Sequence, residues 1–428
     1  MRKSPALPPF DHMKTAAVIG AGVSGLASAH ILSKRYKVTV YEKDARPGGL
    51  IKCDEVNGVL YHKVGGHVFN SRRADVLEWF WTFFRREQDF TKATRNAVVS
   101  LRDGTCVSYP IENHLYQLPR PTAQAVIRDL IDMAGKGYGE PQNFDEFLRA
   151  RFGQTLYSEY FEPYNRKIWQ CPLSEIPLAW LEGKLPMPGI DEILQANILR
   201  LQEVNMVHSS FNYPVRGGSQ FIADTLARGL AVRYGTPAEA LERRSDGTWR
   251  VNGDSYDLVV FCGNIKQLAS LLKGGVSLGS ELEQGIQALR AHGTTSVLCE
   301  VEANPYSWIY LPDTAYASHR IICTGNFSPN NAPVGKHTAT VEFTGEVSKD
   351  SLLEQLARMP FAPRYLAHHY EPYTYPIQDG HTRPCIQAAK ALLEPQGLHL
   401  IGRFAEWEYY NMDAAIGAAL DRLTSIIN

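Results

Sequence analysis

Val18 to Leu26 reads V-I-G-A-G-V-S-G-L, with three glycines where a strand must turn abruptly into a helix. Gly20 permits the tight turn, Gly22 lets the backbone approach a pyrophosphate, and Gly25 lets the helix pack close to the sheet. The free N–H groups and positive dipole end of such a helix face the phosphates. Glu42 ends a second strand-like run, V-T-V-Y-E, at about the ~20-residue spacing at which an acid accepts hydrogen bonds from a ribose. A carboxylate there argues against a 2′-phosphate. Arg46-Pro47-Gly48-Gly49 adds a second glycine turn, and His67 sits in a third glycine-rich loop, K-V-G-G-H-V-F. No H-x-x-x-H or neighbouring acid pair makes His67 a metal ligand, so no metal site is expected. The alternatives to a dinucleotide site are an ordinary tight turn without a cofactor and, for the cofactor, NAD in place of FAD.

These residues need elements to position them. From Lys14 to about Phe90 the order is strand, glycine turn, helix, strand and glycine loop, half of a doubly wound fold. Short strand-like runs flank a hairpin-type turn at Asp103-Gly104. Helical spacing dominates from Thr122 to about Gln202, in A-V-I-R-D-L-I-D-M and F-D-E-F-L-R-A-R-F. β character returns in D-L-V-V-F-C-G and in S-V-L-C-E-V, W-I-Y-L, R-I-I-C-T and T-A-T-V-E-F. H-L-I-G-R reads as a last strand, and Asp413 as the cap of a final helix carrying Ile416, Ala419, Leu420 and Leu423. The expected class is α/β: a doubly wound FAD-binding domain (14–90, 206–275 and 398–428), a helical nucleotide-binding insertion (114–205) and an antiparallel sheet covering the substrate (91–113 with 276–397). Residues 1–13, rich in proline and without a signal-peptide core, read as a flexible tail.

At 428 residues with 44% hydrophobic content, the chain can bury a sizeable core across two or three units. Its net charge of −1, from 44 basic and 45 acidic residues, leaves no broad footprint for nucleic acid. No window has the ~18 consecutive apolar residues of a membrane span. Seven scattered cysteines without a C-x-x-C pair suit reduced thiols in the cytoplasm.

Arg46 to Gly49 resembles the loop that large FAD-dependent enzymes of the amine oxidase kind place beside the flavin phosphates. Further segments in order resemble the UDP-galactopyranose mutase family. They are Gly65-Gly66-His67-Val68-Phe69; Tyr109-Pro110-Ile111-Glu112-Asn113; Pro163 to Trp169 followed by Ala179-Trp180-Leu181; and Tyr213-Pro214-Val215-Arg216-Gly217-Gly218. Trp308-Ile309-Tyr310, Arg320 and Asn326-Phe327-Ser328-Pro329 are similar to the eukaryotic branch. Gly402-Arg403 through Tyr409, with Met412-Asp413, is similar to the bacterial C-terminus.

The resemblance implies an FAD enzyme, active when reduced, that interconverts pyranose and furanose forms of a nucleotide sugar resembling UDP-galactose through a reduced-flavin N5–sugar adduct. It makes Arg320 the principal pyrophosphate cation, a group able to donate two parallel hydrogen bonds. Tyr310, Tyr375 and Tyr409 become hydroxyl donors to the same group. Tyr160, Asn165 and Trp169 line the nucleotide base site, Asn113 belongs to the Y-P-x-x-N segment, and His67 faces the flavin. Gly65, Gly66, Arg403, Met412 and Asp413 lie on the cofactor side, where a helix dipole favours anionic reduced flavin. Two positions depart from the family: Lys184 replaces a second pyrophosphate arginine, keeping charge but losing the fork, and Asn411 replaces an aspartate. With no second dinucleotide fingerprint, NADPH or NADH as reductant would have to use the FAD-side cleft transiently. The oligomeric state is open. The competing readings are an FAD-dependent oxidoreductase of the amine oxidase, porphyrinogen oxidase or desaturase kind, and a flavin-binding scaffold without catalysis.

Overall fold

Lys14–Ile19 and Tyr36–Tyr41 run parallel, in register from Lys14 against Tyr36 to Ile19 against Tyr41. Ala16, Ala17 and Val18 are fully buried, as befits a strand covered on both faces. The computed structural model, which describes residues 13–136, 140–178, 188–201 and 209–427, extends this pair into a five-stranded parallel sheet. Its spatial order is Leu398–Leu400, Leu258–Phe261, Lys14–Ile19, Tyr36–Tyr41 and Val232–Arg233. The strands thus come from the start, the middle and the end of the chain. The helix Val23–Leu32 packs on the final helix Met412–Ile427, where Leu26 and Ala29 share a core with Ala415, Ile416 and Ala419.

A seven-stranded sheet forms the second layer, in the order Arg364–Pro376, Ala291–Glu300, Thr338–Thr344, Arg320–Ile322, Trp308–Tyr310, Ala97–Ser100 and Cys106–Ser108. It is antiparallel apart from one pairing, Trp308–Tyr310 beside Ala97–Ser100, which is parallel. Asp103-Gly104 does make the turn between its last two strands, with Gly104 at φ +86°. Between the layers, Phe90–Thr94 pairs with Ser210–Pro214. A four-stranded sheet from Leu241–Arg243, Trp249–Val251, Asp254–Tyr256 and Leu272–Gly274 flanks the parallel sheet.

The helical region comprises Arg120–Lys136, Phe144–Leu156, Glu162–Trp169 and Ile190–Leu199. Asn143 caps the second of these, its Oδ1 accepting from the Glu146 N–H at 3.0 Å. A π-helical turn, Tyr157–Phe161, leads into the third, a distortion that often accompanies functional sites. These helices share one core with the seven-stranded sheet: Leu156, Tyr164 and Trp169 lie with Tyr310 and Tyr375.

The final helix corrects one expectation. It begins at Met412, and the Ala415 N–H bonds the Asn411 carbonyl at 2.9 Å, so Asn411 occupies the cap position and Asp413 lies in the first turn. Asparagine is among the best N-cap residues, and the apolar periodicity does not mark which preceding polar residue begins the helix. Among the described residues no helix is long and apolar enough to cross a membrane.

A Cβ on Gly25 would lie 1.9 Å from the Gly20 carbonyl oxygen, so the first turn and helix meet with no room for a methyl group. Gly25→Ala should therefore destabilise the fold by at least the ~1–3 kcal/mol typical of overpacking, measurable as a lowered midpoint in chemical denaturation.

Candidate functional site

The two glycine turns are tied together. Gly20 N–H donates to the Tyr41 carbonyl at 2.8 Å, and Gly48 N–H donates to the Ala21 carbonyl at 2.9 Å. A Cβ on Gly49 would come within 3.3 Å of Gly22 Cα, whereas one on Gly22 would meet only Gly49 Cα at 3.9 Å. Glu42, 5% exposed, accepts from Ala21 N–H at 2.6 Å and from Asp44 N–H at 2.9 Å, which fixes its carboxylate at the strand end. Arg46 pairs with Asp54 nearby. These groups line a cavity of about 920 Å³. A glycine cradle, a helix N-terminus and a buried acid are the donor set that an adenine dinucleotide requires, so FAD fits here.

His67 lines the same cavity. Its loop presses on the second sheet, since a Cβ on Gly66 would lie 2.4 Å from Ile322 Cγ2, and Gly65 has φ +64°. His67 Nε2 lies 3.1 Å from the Leu50 carbonyl, which requires Nε2 to be the protonated nitrogen. Burial, then the charge of Arg403, pushes the His67 pKa down to about 4, so the ring is neutral at neutral pH. The N-terminus of the final helix, at Asn411 and Met412, also borders the cavity, bringing a positive dipole end to its wall.

Charged and aromatic groups line the cavity as well. Arg320 donates through Nε to Glu342 and through Nη2 to the Tyr375 hydroxyl at 2.9 Å. Burial alone would raise the Glu342 pKa, but Arg320 and then His319 outweigh it and hold the carboxyl well below its usual range. Tyr375 is sandwiched between His292, at 4.9 Å between ring centroids, and Tyr409, at 5.3 Å, and Arg403 lies 4.2 Å over the Tyr409 ring. Burial raises the Tyr375 pKa, so the phenol stays protonated. Because its oxygen accepts from Arg320, its own proton is available to an anion in the cavity.

The remaining expected residues lie elsewhere. Tyr160, Asn165, Trp169 and Tyr310 belong to or pack beside the buried core of the helical region rather than the cavity wall, and Asn113 sits on the short turn Ile111–Asn113. The Asn165 amide bonds within its own helix: Nδ2 donates to the Phe161 carbonyl at 2.7 Å, and Oδ1 accepts from Trp169 Nε1 at 3.1 Å. Tyr160 stacks on Tyr164 at 5.4 Å, and Tyr164 meets Tyr310 edge-on at 5.3 Å. Lys184 and the segment Ala179-Trp180-Leu181 lie outside the described residues, as do residues 1–12.

Two residues of the site escaped sequence reasoning. Arg95 lines the cavity, donates to the Tyr310 hydroxyl and lies 4.5 Å over the Trp308 ring. Its Nε, like that of Arg403, is buried without a hydrogen-bond partner among the described residues. Glu342 was detectable: it is a lone acid inside T-A-T-V-E-F, where every neighbour reads as core. Arg95 carries no such signal.

Residues 18–86 match the model of the NAD(P)-binding Rossmann-like domain. The chain is 21% identical over 445 aligned residues to a UDP-galactopyranose mutase of Mycoplasma pneumoniae, covering 96% of this chain and 95% of the relative. A second UDP-galactopyranose mutase, of Mycoplasma genitalium, is likewise 21% identical, over 438 residues that cover 96% of this chain and 94% of that one. A dTDP-fucopyranose mutase of Escherichia coli is 28% identical over 183 residues, 41% of this chain and 46% of that one. The fold is that of a solved structure of reduced UDP-galactopyranose mutase, with a TM-score of 0.84 at 23% identity, covering 97% of this chain and 96% of the other.

Two tests follow from the geometry. Gly22 has open space and an ordinary backbone, so Gly22→Asp should leave folding intact while its carboxylate opposes a bound pyrophosphate; the purified variant should lose its yellow colour at unchanged secondary structure by circular dichroism. Full flavin occupancy would refute the cradle. Burial also lowers the pKa of three histidines: His62 to about 3, His67 to about 4 and His292 to about 4. Unfolded histidines take up protons near pH 6.5 while these resist, so protonation favours the unfolded state. Stability should therefore fall as pH drops from 6.5 towards 4, by up to about 1.4 kcal/mol per pH unit for each histidine, and His67→Gln should flatten that slope in denaturation measured across the range.

Proposed function

We propose that the protein interconverts the pyranose and furanose forms of a nucleotide-linked hexose resembling UDP-galactose. Similarity to the mutases along nearly the whole chain supports a flavin-dependent sugar mutase, an isomerase. The finer reading, of substrate and chemistry, rests on one observation: Arg320, braced by Glu342, and the Tyr375–Tyr409 stack line the same cavity as the dinucleotide glycines. When bound, reduced FAD supplies a nucleophilic nitrogen, N5, for the anomeric carbon of the sugar.

This chain's own residues must then manage a leaving diphosphate. Glu342 occupies the Nε edge of Arg320 and the Tyr375 hydroxyl one N–H of Nη2, which leaves the remaining terminal N–H groups for phosphate oxygens. Tyr375 and Tyr409 supply hydroxyl donors, and Lys184 is assigned the second cationic position. Preorganised donors of this kind stabilise charge as it develops and need no reorganisation during the reaction. Neutral His67 supports the cofactor side without adding a cation beside Arg403. Tyr160, Asn165 and Trp169 are assigned to the base, where the Asn165 amide keeps a second N–H and a second lone pair beyond its two helix hydrogen bonds. The dTDP-fucopyranose mutase relative makes a 6-deoxyhexose on dTDP the second substrate to try. We assign the protein to the cytoplasm, in keeping with cysteines that are free among the described residues, with NADPH or NADH as reductant.

Incubating the dithionite-reduced protein with UDP-, dTDP- and GDP-hexoses should yield, by chromatography, isomers of equal mass without reductant consumed per turnover. Equal turnover by oxidised protein, or stoichiometric hydrogen peroxide, would favour an oxidoreductase instead. Arg320→Lys keeps a charge beside buried Glu342 but loses the fork. It should lower kcat/KM roughly tenfold to a hundredfold, the worth of a charge-assisted hydrogen bond of about 1.5–3 kcal/mol.

A further inference from the structure

Lys167 lies on the helix Glu162–Trp169, two residues from both Asn165 and Trp169, yet it turns away from them and does not line the cavity. Its ammonium donates to three main-chain carbonyls: Leu311 at 2.8 Å, Asp313 at 2.5 Å and Ser318 at 3.0 Å. All three belong to the loop joining the strands Trp308–Tyr310 and Arg320–Ile322. An ammonium has three donors and no acceptor, so this set saturates it. The Tyr316 ring, 5.0 Å from Nζ, covers a further side. The Asp313 carboxylate, whose Oδ1 accepts from the Ala315 N–H of its own loop at 3.0 Å, is close enough to favour the charged lysine. Leu311 and Ser318 are fully buried, so without the ammonium their carbonyls would lose a partner out of reach of water.

The same residue reaches a third element. Its carbonyl accepts from Thr344 Oγ1 at 2.6 Å, at the end of the strand that carries Glu342. One lysine therefore fastens the helix of the expected base site to both strands of the arginine pair. Tyr310 and Arg320 flank the caged loop directly.

We propose that Lys167 is a positioning residue that sets the diphosphate-binding hairpin, with Tyr310 and Arg320, in register with the nucleotide-binding helix. This rests on the mutase reading above. A substrate spanning base to diphosphate must touch both elements at once, so their relative placement determines affinity even though Lys167 touches no ligand.

Lys167→Met keeps an unbranched side chain one atom shorter and removes all three donors. With FAD bound, the variant should bind UDP and dTDP about tenfold or more weakly by calorimetry, the scale of a lost hydrogen-bonded anchor. It should also raise KM for the nucleotide sugar more than it lowers kcat, with flavin content and flavin absorbance unchanged. Lys167→Arg serves if the Met variant does not accumulate folded: it retains charge, but a planar fork cannot meet three carbonyls gathered about one nitrogen, so the same shift should appear in smaller degree. Unchanged affinity and KM in the folded variants would overturn the positioning role while leaving the mutase reading intact. A parent protein that binds no nucleoside diphosphate would overturn both.

Discussion

A buried carboxylate, Glu342, organises the part of the cavity wall where charge must be handled. Removing a carboxylate from water costs several kcal/mol unless it is paired and hydrogen-bonded. Glu342 is 1% exposed and meets Arg320 from one strand and His319, at 3.4 Å, from the residue before it. The pair is thus a constraint on geometry more than a source of stability. Arg320 cannot swing freely without stranding a buried charge, so its remaining N–H groups are presented to the cavity in one orientation. Tyr375 takes one of them, and the aromatic stack with Tyr409 and His292 fixes that ring in turn.

Legibility differed sharply between the two parts of the cavity wall. At the dinucleotide turns, function depends on backbone approach, which only glycine spacing permits, so Gly20, Gly22, Gly25, Gly48 and Gly49 announced themselves locally. Glu42 followed because its distance along the chain is set by one helix and one strand. Around Arg320 the site is assembled from side chains on strands far apart in sequence. Arg95 reaches Tyr310 across more than two hundred residues, and no local pattern marks such a pairing. Arg320, Tyr375 and Tyr409 were found through resemblance, not periodicity.

The helical region shows the limit of reading roles from residue type. Asn165 offers donors and acceptors, which suggests a base contact, and its four-residue spacing from both Phe161 and Trp169 lets its own helix use one of each. The placement of Asp413 failed for a related reason: helix capping is decided by backbone geometry at one residue, and Asn411 was equally suited to it. The parallel pairing of Trp308–Tyr310 with Ala97–Ser100 also left no trace in the alternation of either strand, since both are buried on both faces.

The parallel sheet draws its edge strand Leu398–Leu400 from near the end of the chain, and the helix Met412–Ile427 covers the first helix, Val23–Leu32. On the ribosome, therefore, the helix Val23–Leu32 lacks its cover over Leu26 and Ala29 until the helix Met412–Ile427 has been translated. The Gly20–Gly25 turn is finished early as a local structure but late as part of a protected core. A nascent chain stalled before residue 412 presents an apolar helix face to solvent, the kind of surface on which aggregation begins and which chaperones shield.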